Sequence, residues 1–140
     1  MNRYVIGVLA ILAVALSLCV PAISAQTIVR ANVPFAFTVG QTEMPAGNYT
    51  VNSVSESAIA ITDSNTGTSV LSLFRSEQAK HNDGTAKLVF HKYGDKYFLS
   101  QVGRGFGGSL IQLPTSKQEQ EAQIRTARSA SPKEVAVAAK

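Results

Sequence analysis

Residues 87–102 read KLVFHKYGDKYFLSQV. Two aromatic-rich runs, 86–93 and 96–102, flank Gly94-Asp95. A Gly-Asp pair between such runs fits a two-residue primed turn, because glycine takes the positive φ at little steric cost. The stretch therefore predicts an antiparallel hairpin. In that register Phe90 faces Leu99 and His91 faces Phe98. His91 then shares a face with Val89 and Tyr93, since side chains alternate along a strand.

Upstream, residues 27–39 alternate strictly. Val29, Ala31, Val33, Phe35, Phe37 and Val39 share one face, and Arg30, Asn32, Pro34, Ala36 and Thr38 the other. Period two over this length predicts a half-buried strand. Pro34 donates no ladder hydrogen bond, so it marks an edge or a bulge. Met44-Pro45-Ala46-Gly47 predicts a tight turn, with Pro45 presetting φ. A strand with Tyr49 and Val51 on one face follows, then a short one with Ile59 and Ile61. Residues 63–67, Asp-Ser-Asn-Thr-Gly, read as a hairpin loop. Residues 68–75 carry apolar side chains on both faces, Val70 and Phe74 against Leu71 and Leu73, which predicts cover on both sides. Residues 110–113 predict a last short strand.

These seven β segments with turns between them predict an all-β fold, an antiparallel β-sandwich or small open barrel of about seven strands. All nine aromatics beyond the first 25 residues lie between Phe35 and Phe106, so residues 26–114 form the β domain and hold the core. Several segments are shorter than the roughly 10 residues a membrane-crossing barrel strand needs, which argues against an outer-membrane barrel. After Pro114 the pattern changes. Ser116-Lys117-Gln118-Glu119 fits a capping box, in which hydroxyl and carboxylate satisfy each other's end-of-helix amides. A C-terminal helix is expected over 115–128. Its apolar content is Ala122, Ile124 and Ala127, a stripe too thin to bury deeply, so it reads as an amphipathic, solvated arm or a lightly docked lid. Residues 129–140, SASPKEVAVAAK, read as a disordered tail.

The N-terminal segment explains the average composition. Of the 140 residues 45% are hydrophobic, but 19 of the first 25 are, in MNRYVIGVLAILAVALSLCVPAISA. Arg3 gives a positive start, an apolar run follows, Pro21 breaks it, and small residues end it. That is the pattern of a secretory signal peptide, residues 1–25, with cleavage after Ala25 and Ala22 as the alternative. The expected location is the periplasm or the outside of the cell, and the mature chain is not expected to span a membrane. Cys19, the one cysteine, falls inside this leader, and bulky Leu18 before it argues against lipidation. The mature chain would then stand without disulfides in an oxidising compartment.

Composition also excludes functions. The net charge is +4 with no basic block, so no nucleic-acid partner is expected. Residues 103–108, Gly-Arg-Gly-Phe-Gly-Gly, match G-x-G-x-x-G literally. A dinucleotide loop must open a helix, and the next residues, Ser-Leu-Ile-Gln-Leu-Pro, read as strand, so no cofactor is expected. Zinc needs three or four ligands, and His81 and His91 are the only histidines, so no metal is expected. His81 reads as a solvated loop residue beside Asp83. For hydrolysis His91 needs a nucleophile and an orienting acid. No serine lies in a G-x-S-x-G elbow, and Ser100 lies diagonal to His91 with no acid beside it. Asn48-Tyr49-Thr50 matches a glycosylation sequon.

The segments VPFAFTVG (33–40), MPAGNYTV (44–51) and KLVFHKYGDKYFLSQV (87–102), with Leu-Pro-x-Ser at 113–116, carry a resemblance. The chain resembles a large group of small exported β-rich proteins of acidobacterial genomes with no assigned activity. The resemblance covers most of residues 30–125. Its motifs are structural, and it implies a bacterial, exported protein. Two positions depart from the group: Ala36, where an acidic residue is common, and Gly103-Arg104, where an aromatic is common.

The sequence thus points to a non-catalytic exported β module with a binding or structural role at the cell envelope. His91, Tyr93, Arg104 and Phe106 are its candidate partner contacts, and a polysaccharide or an envelope protein its candidate partner. The alternatives are a small secreted hydrolase using His91 and an assembly subunit pairing through an edge strand. An acid hydrogen-bonded to His91 in a pocket favours the hydrolase; His91 isolated on an open sheet face removes it.

Overall fold

The computed structural model describes residues 26–77, 84–105, 110–127 and 132–140. The expected leader with its Ala25 cleavage site, His81 and Phe106 lie outside them.

The central hairpin forms in the expected register. Strands β8 (Lys87–Tyr93) and β9 (Lys96–Gly103) pair antiparallel, with Phe90 opposite Leu99 and His91 opposite Phe98. Gly94 has φ +61° and no described non-glycine residue has a positive φ. Only the first central turn position is therefore left-handed, the geometry of a type II′ turn. A bulge sets Val89 against Gln101 and Phe90 against Leu99, leaving Ser100 unopposed.

Two sheets face each other around this hairpin. The first holds β1 (Gln26–Val33), β4 (Gly47–Ser55), β5 (Ala58–Asp63) and β6 (Ser69–Leu73) in the antiparallel order β1-β4-β5-β6. The second runs β11 (Lys133–Ala138), β8, β9, β10 (Leu110–Gln112), β7 (Arg75–Glu77). Strand β2 (Phe37–Val39) adds to it in parallel at Thr38–Phe98, and β3 (Thr42–Met44) pairs with β2. Among the described residues the fold is an all-β, sandwich-like arrangement of two sheets, without barrel closure, with one helix, α1 (Lys117–Thr126), before the last strand.

The inward faces are those the alternation marks. Val29, Val33, Phe37, Val39, Tyr49, Val51, Ile59, Ile61, Leu88, Phe90 and Val102 are buried in one cluster between the sheets. Each such side chain contributes about 1.5–3 kcal/mol when fully removed from water. Phe37 sits edge-on to both Tyr49 (4.9 Å) and Phe90 (5.1 Å), and Phe35 stacks on Tyr97 at 3.9 Å. The Tyr49 hydroxyl donates to the Pro45 carbonyl, tying the 44–47 turn to the core. Asp63, also buried, accepts from the Asn65 amide at 2.8 Å, and Gly67 (φ +73°) closes that hairpin.

The structure corrects four expectations. The alternating run 27–39 is two strands in different sheets, because Pro34 ends pairing with β4 and the chain crosses to β9. The alternation survives, since both sheets turn that side of the chain inward. The tail is not disordered where it is described: β11 pairs with β8 along its whole length. Val135, Val137 and Ala139 are its half-buried face, a period-two pattern after Pro132. Beyond β11, Arg30 and Lys140 exchange backbone hydrogen bonds of 2.8 and 2.9 Å, which joins the second sheet to the edge of the first. Strand β6 is covered on one face only, with Leu71 and Leu73 each 69% exposed. Last, the capping box is half made. The Glu119 amide donates to Ser116 Oγ at 3.1 Å, but the Glu119 carboxylate turns inward. No described helix is long and apolar enough to cross a membrane.

Candidate functional site

The outward face of β8 carries Val89, His91 and Tyr93, as read from the hairpin. Helix α1 packs against this strand. The helix offers almost no apolar surface to it: Ile124 is 68% exposed, and Glu119 is the one buried residue of the helix. A buried carboxylate is costly unless hydrogen-bonded, and Glu119 has partners. Its Oε1 lies 2.8 Å from His91 Nδ1 and 3.4 Å from the Tyr93 hydroxyl. The Tyr93 hydroxyl donates to this oxygen, and the tautomer with its proton on Nδ1 lets His91 donate to it as well. Glu119 also lies in the first turn of α1, where the helix dipole favours negative charge.

His91 is therefore not isolated on an open sheet. Its Nε2 faces Glu134 of β11 at 3.8 Å, directly across the strand pair. Tyr93 packs edge-on to His91 and to Phe98, at 6.2 and 5.9 Å between ring centres. Burial, then the Glu119 charge and hydrogen bond, push the Tyr93 phenol above its usual value of 10.0. A phenol surrounded this way stays a donor to the carboxylate.

The other candidates separate in space. Arg104 is half-buried after β9, and its Nε is buried with no hydrogen-bond partner among the described residues. Gly103, the first glycine of the G-x-G-x-x-G match, is a strand residue. A Cβ there would come within 3.1 Å of Lys87 Cγ and 3.2 Å of the Thr85 carbonyl, so glycine serves close strand packing. The next described element after the motif is strand β10. Tyr97 is half-buried against the core, stacked on Phe35. Ser100 is buried in the bulge and makes no hydrogen bond to His91. Among the described residues no group of three or more His, Cys, Asp or Glu could hold a metal ion.

Two clefts flank these features. One, of about 680 Å³, lies beside α1 and is walled by charges of both signs, among them Glu43, Lys96, Glu121 and Arg125. The other, of about 580 Å³, lies where the two sheets part, over Leu73, Phe74, Leu113 and Pro114. His91 lines neither; Tyr93 lines the first. Sequence reasoning missed Glu119 and Glu134 as partners of His91. The only signal for Glu119 was its place in a helix cap, which explains its amide environment and not the direction of its carboxylate. No protein-family model, curated protein or solved structure matches the chain.

Proposed function

We propose that this chain is an exported, non-catalytic β module with a binding or structural role at the cell envelope. The observation that carries the reading is the use made of Glu119. Its carboxylate, the one buried acid beside His91, holds the helix on the sheet through His91 and Tyr93. The acid, the imidazole and the phenol thereby satisfy one another, and they line up along a packed helix–strand seam. The apolar leader of residues 1–25 supports export. The mixed-charge cleft beside α1, with Tyr93 in its wall, is the surface offered to a polysaccharide or an envelope protein, since an aromatic among hydrogen-bonding side chains suits either.

The test is to express the gene with its own leader and fractionate the cells. The expected product is a chain beginning at Gln26 outside the cytoplasm. That product should bind on arrays of polysaccharides and envelope extracts, and Lys96→Glu or Arg125→Glu should weaken the binding. A full-length cytoplasmic chain, or a processed chain that binds nothing on the arrays, would overturn the reading.

One observation favours a secreted hydrolase as the second reading. An acid on Nδ1 with Nε2 on the far side is the orientation in which a histidine serves a nucleophile. Glu134 stands at that Nε2, and no hydroxyl is hydrogen-bonded to it among the described residues. Turnover of ester, amide or glycoside substrates that His91→Ala abolishes would establish this reading in place of the first.

A further inference from the structure

We propose that Gln26 is a modification site: once the leader is removed after Ala25, its side chain closes on the new α-amine and the chain begins with pyroglutamate. The inference rests on the export reading given above, which supplies the free amine. Glutamine is the residue suited to this closure. Its amide carbon Cδ and its own α-nitrogen close a five-membered ring, and a reaction within one residue needs no second molecule to be brought into place. The α-nitrogen attacks Cδ. The N–Cδ bond forms, the Cδ–Nε2 bond breaks, and Nε2 leaves as ammonia with the proton that the α-nitrogen gives up. Nothing is oxidised or reduced, and no co-reactant is consumed. An α-amine titrates close to neutrality, so part of it is present as the free base that attacks.

The structure leaves Gln26 free to react. It is the first residue of β1 and is exposed. Its side-chain amide makes no hydrogen bond among the described residues, so no contact is broken when it turns back on the backbone. Strand β1 is the edge of its sheet, and the tail joins that edge at Arg30 and Ala31. Among the described residues, position 26 pairs only with Ser53 of β4. The product fits the same place. Ring closure uses only atoms of residue 26. The lactam keeps one N–H and leaves the backbone carbonyl untouched, so the donor and the acceptor of that ladder position both remain. What disappears is the α-amine, the group an aminopeptidase grips. Chain termini are where proteolysis concentrates, and the ring closes that route into β1.

The test takes the protein recovered outside the cytoplasm after expression with its own leader. Amines are acetylated before digestion, so that closure during work-up is not counted. Trypsin then releases residues 26–30, Gln-Thr-Ile-Val-Arg. The expected peptide is unacetylated and lighter than its sequence by one ammonia, and pyroglutamyl peptidase shortens it to start at Thr27. Gln26→Ala should give an acetylated, open terminus on a chain with the wild-type circular dichroism. A chain that begins at Gln26 and carries an acetylated α-amine overturns this inference and leaves export standing. A chain that starts at Ile23 overturns the cleavage site and this inference with it. One that keeps residues 1–25 in the cytoplasm overturns the export reading as well.

Discussion

Glu119 on the C-terminal helix and His91 on strand β8 meet at 2.8 Å across 28 residues of sequence. The helix has no other buried side chain, so this bond and the Tyr93 contact, with an exposed 3.5 Å bond from Gln118 Nε2 to the Gln41 carbonyl, hold it to the sheet. Removing the carboxylate leaves an imidazole and a phenol without their acceptor. Glu119→Ala should cost about 1–3 kcal/mol, read as a lower urea midpoint. It should also speed tryptic cleavage at Arg125, the exposed basic residue of the helix's last turn. Ser116→Ala removes only the cap bond and should cost about 1 kcal/mol. Equal effects of the two would mean that Glu119 acts only as a capping residue.

Alkaline pH should loosen the same seam. Burial and the Glu119 charge raise the Tyr93 phenol above 10.0, and burial and the Asp63 charge raise Tyr49. The folded state thus holds these protons to higher pH than the unfolded chain does. The stabilisation is complete below the unfolded value of about 10 and is lost as pH rises through the folded values. Urea midpoints should fall from about pH 10 upward, and Tyr93→Phe should flatten that fall. An unchanged slope in the Phe variant would remove Tyr93 from the account.

Deleting residues 132–140 strips β8 of its outer partner and opens the Arg30–Lys140 join. Each half-buried valine of β11 is worth roughly 1 kcal/mol of removed apolar surface, so the truncated chain should unfold at clearly lower urea concentration. Val137→Asp, which puts a charge on the inward face, should act in the same direction. A truncation with no effect on the midpoint would mean that β11 contributes nothing to stability.

Phe37 tests the core itself. It is 1% exposed and touches rings from both sheets, Tyr49 from the first and Phe90 from the second. Phe37→Ala should cost about 3–5 kcal/mol, enough to unfold much of a small cysteine-free domain. Exposed Leu73→Ala should leave the unfolding midpoint of the monomer nearly unchanged.

The hairpin of 87–102 was legible because Gly94-Asp95 sits between two runs whose local chemistry agrees. Register, turn and facing pairs all follow from neighbours in sequence. The crossing at Pro34 was half legible. The proline announced a break in pairing, but alternation continues identically whether a strand stays in its sheet or moves to the facing one. The tail was missed because alanine and valine without aromatics look too weak to pack. Val135 and Val137 need only a ready-made edge, and β8 supplies it.

The amino-acid sequence by itself determined the strand-rich class, the inward side chains and the primed two-residue turn at the centre. These depend on periodicity and on the φ preferences of glycine and proline, which are properties of short stretches. Tertiary structure alone decided which strands became neighbours, that the tail became one of them, and that Glu119 turned from its own helix cap to His91. The carboxylate had two ways to be satisfied, and burial against the sheet, where an unpaired charge is costly, selected the one that no local pattern encodes.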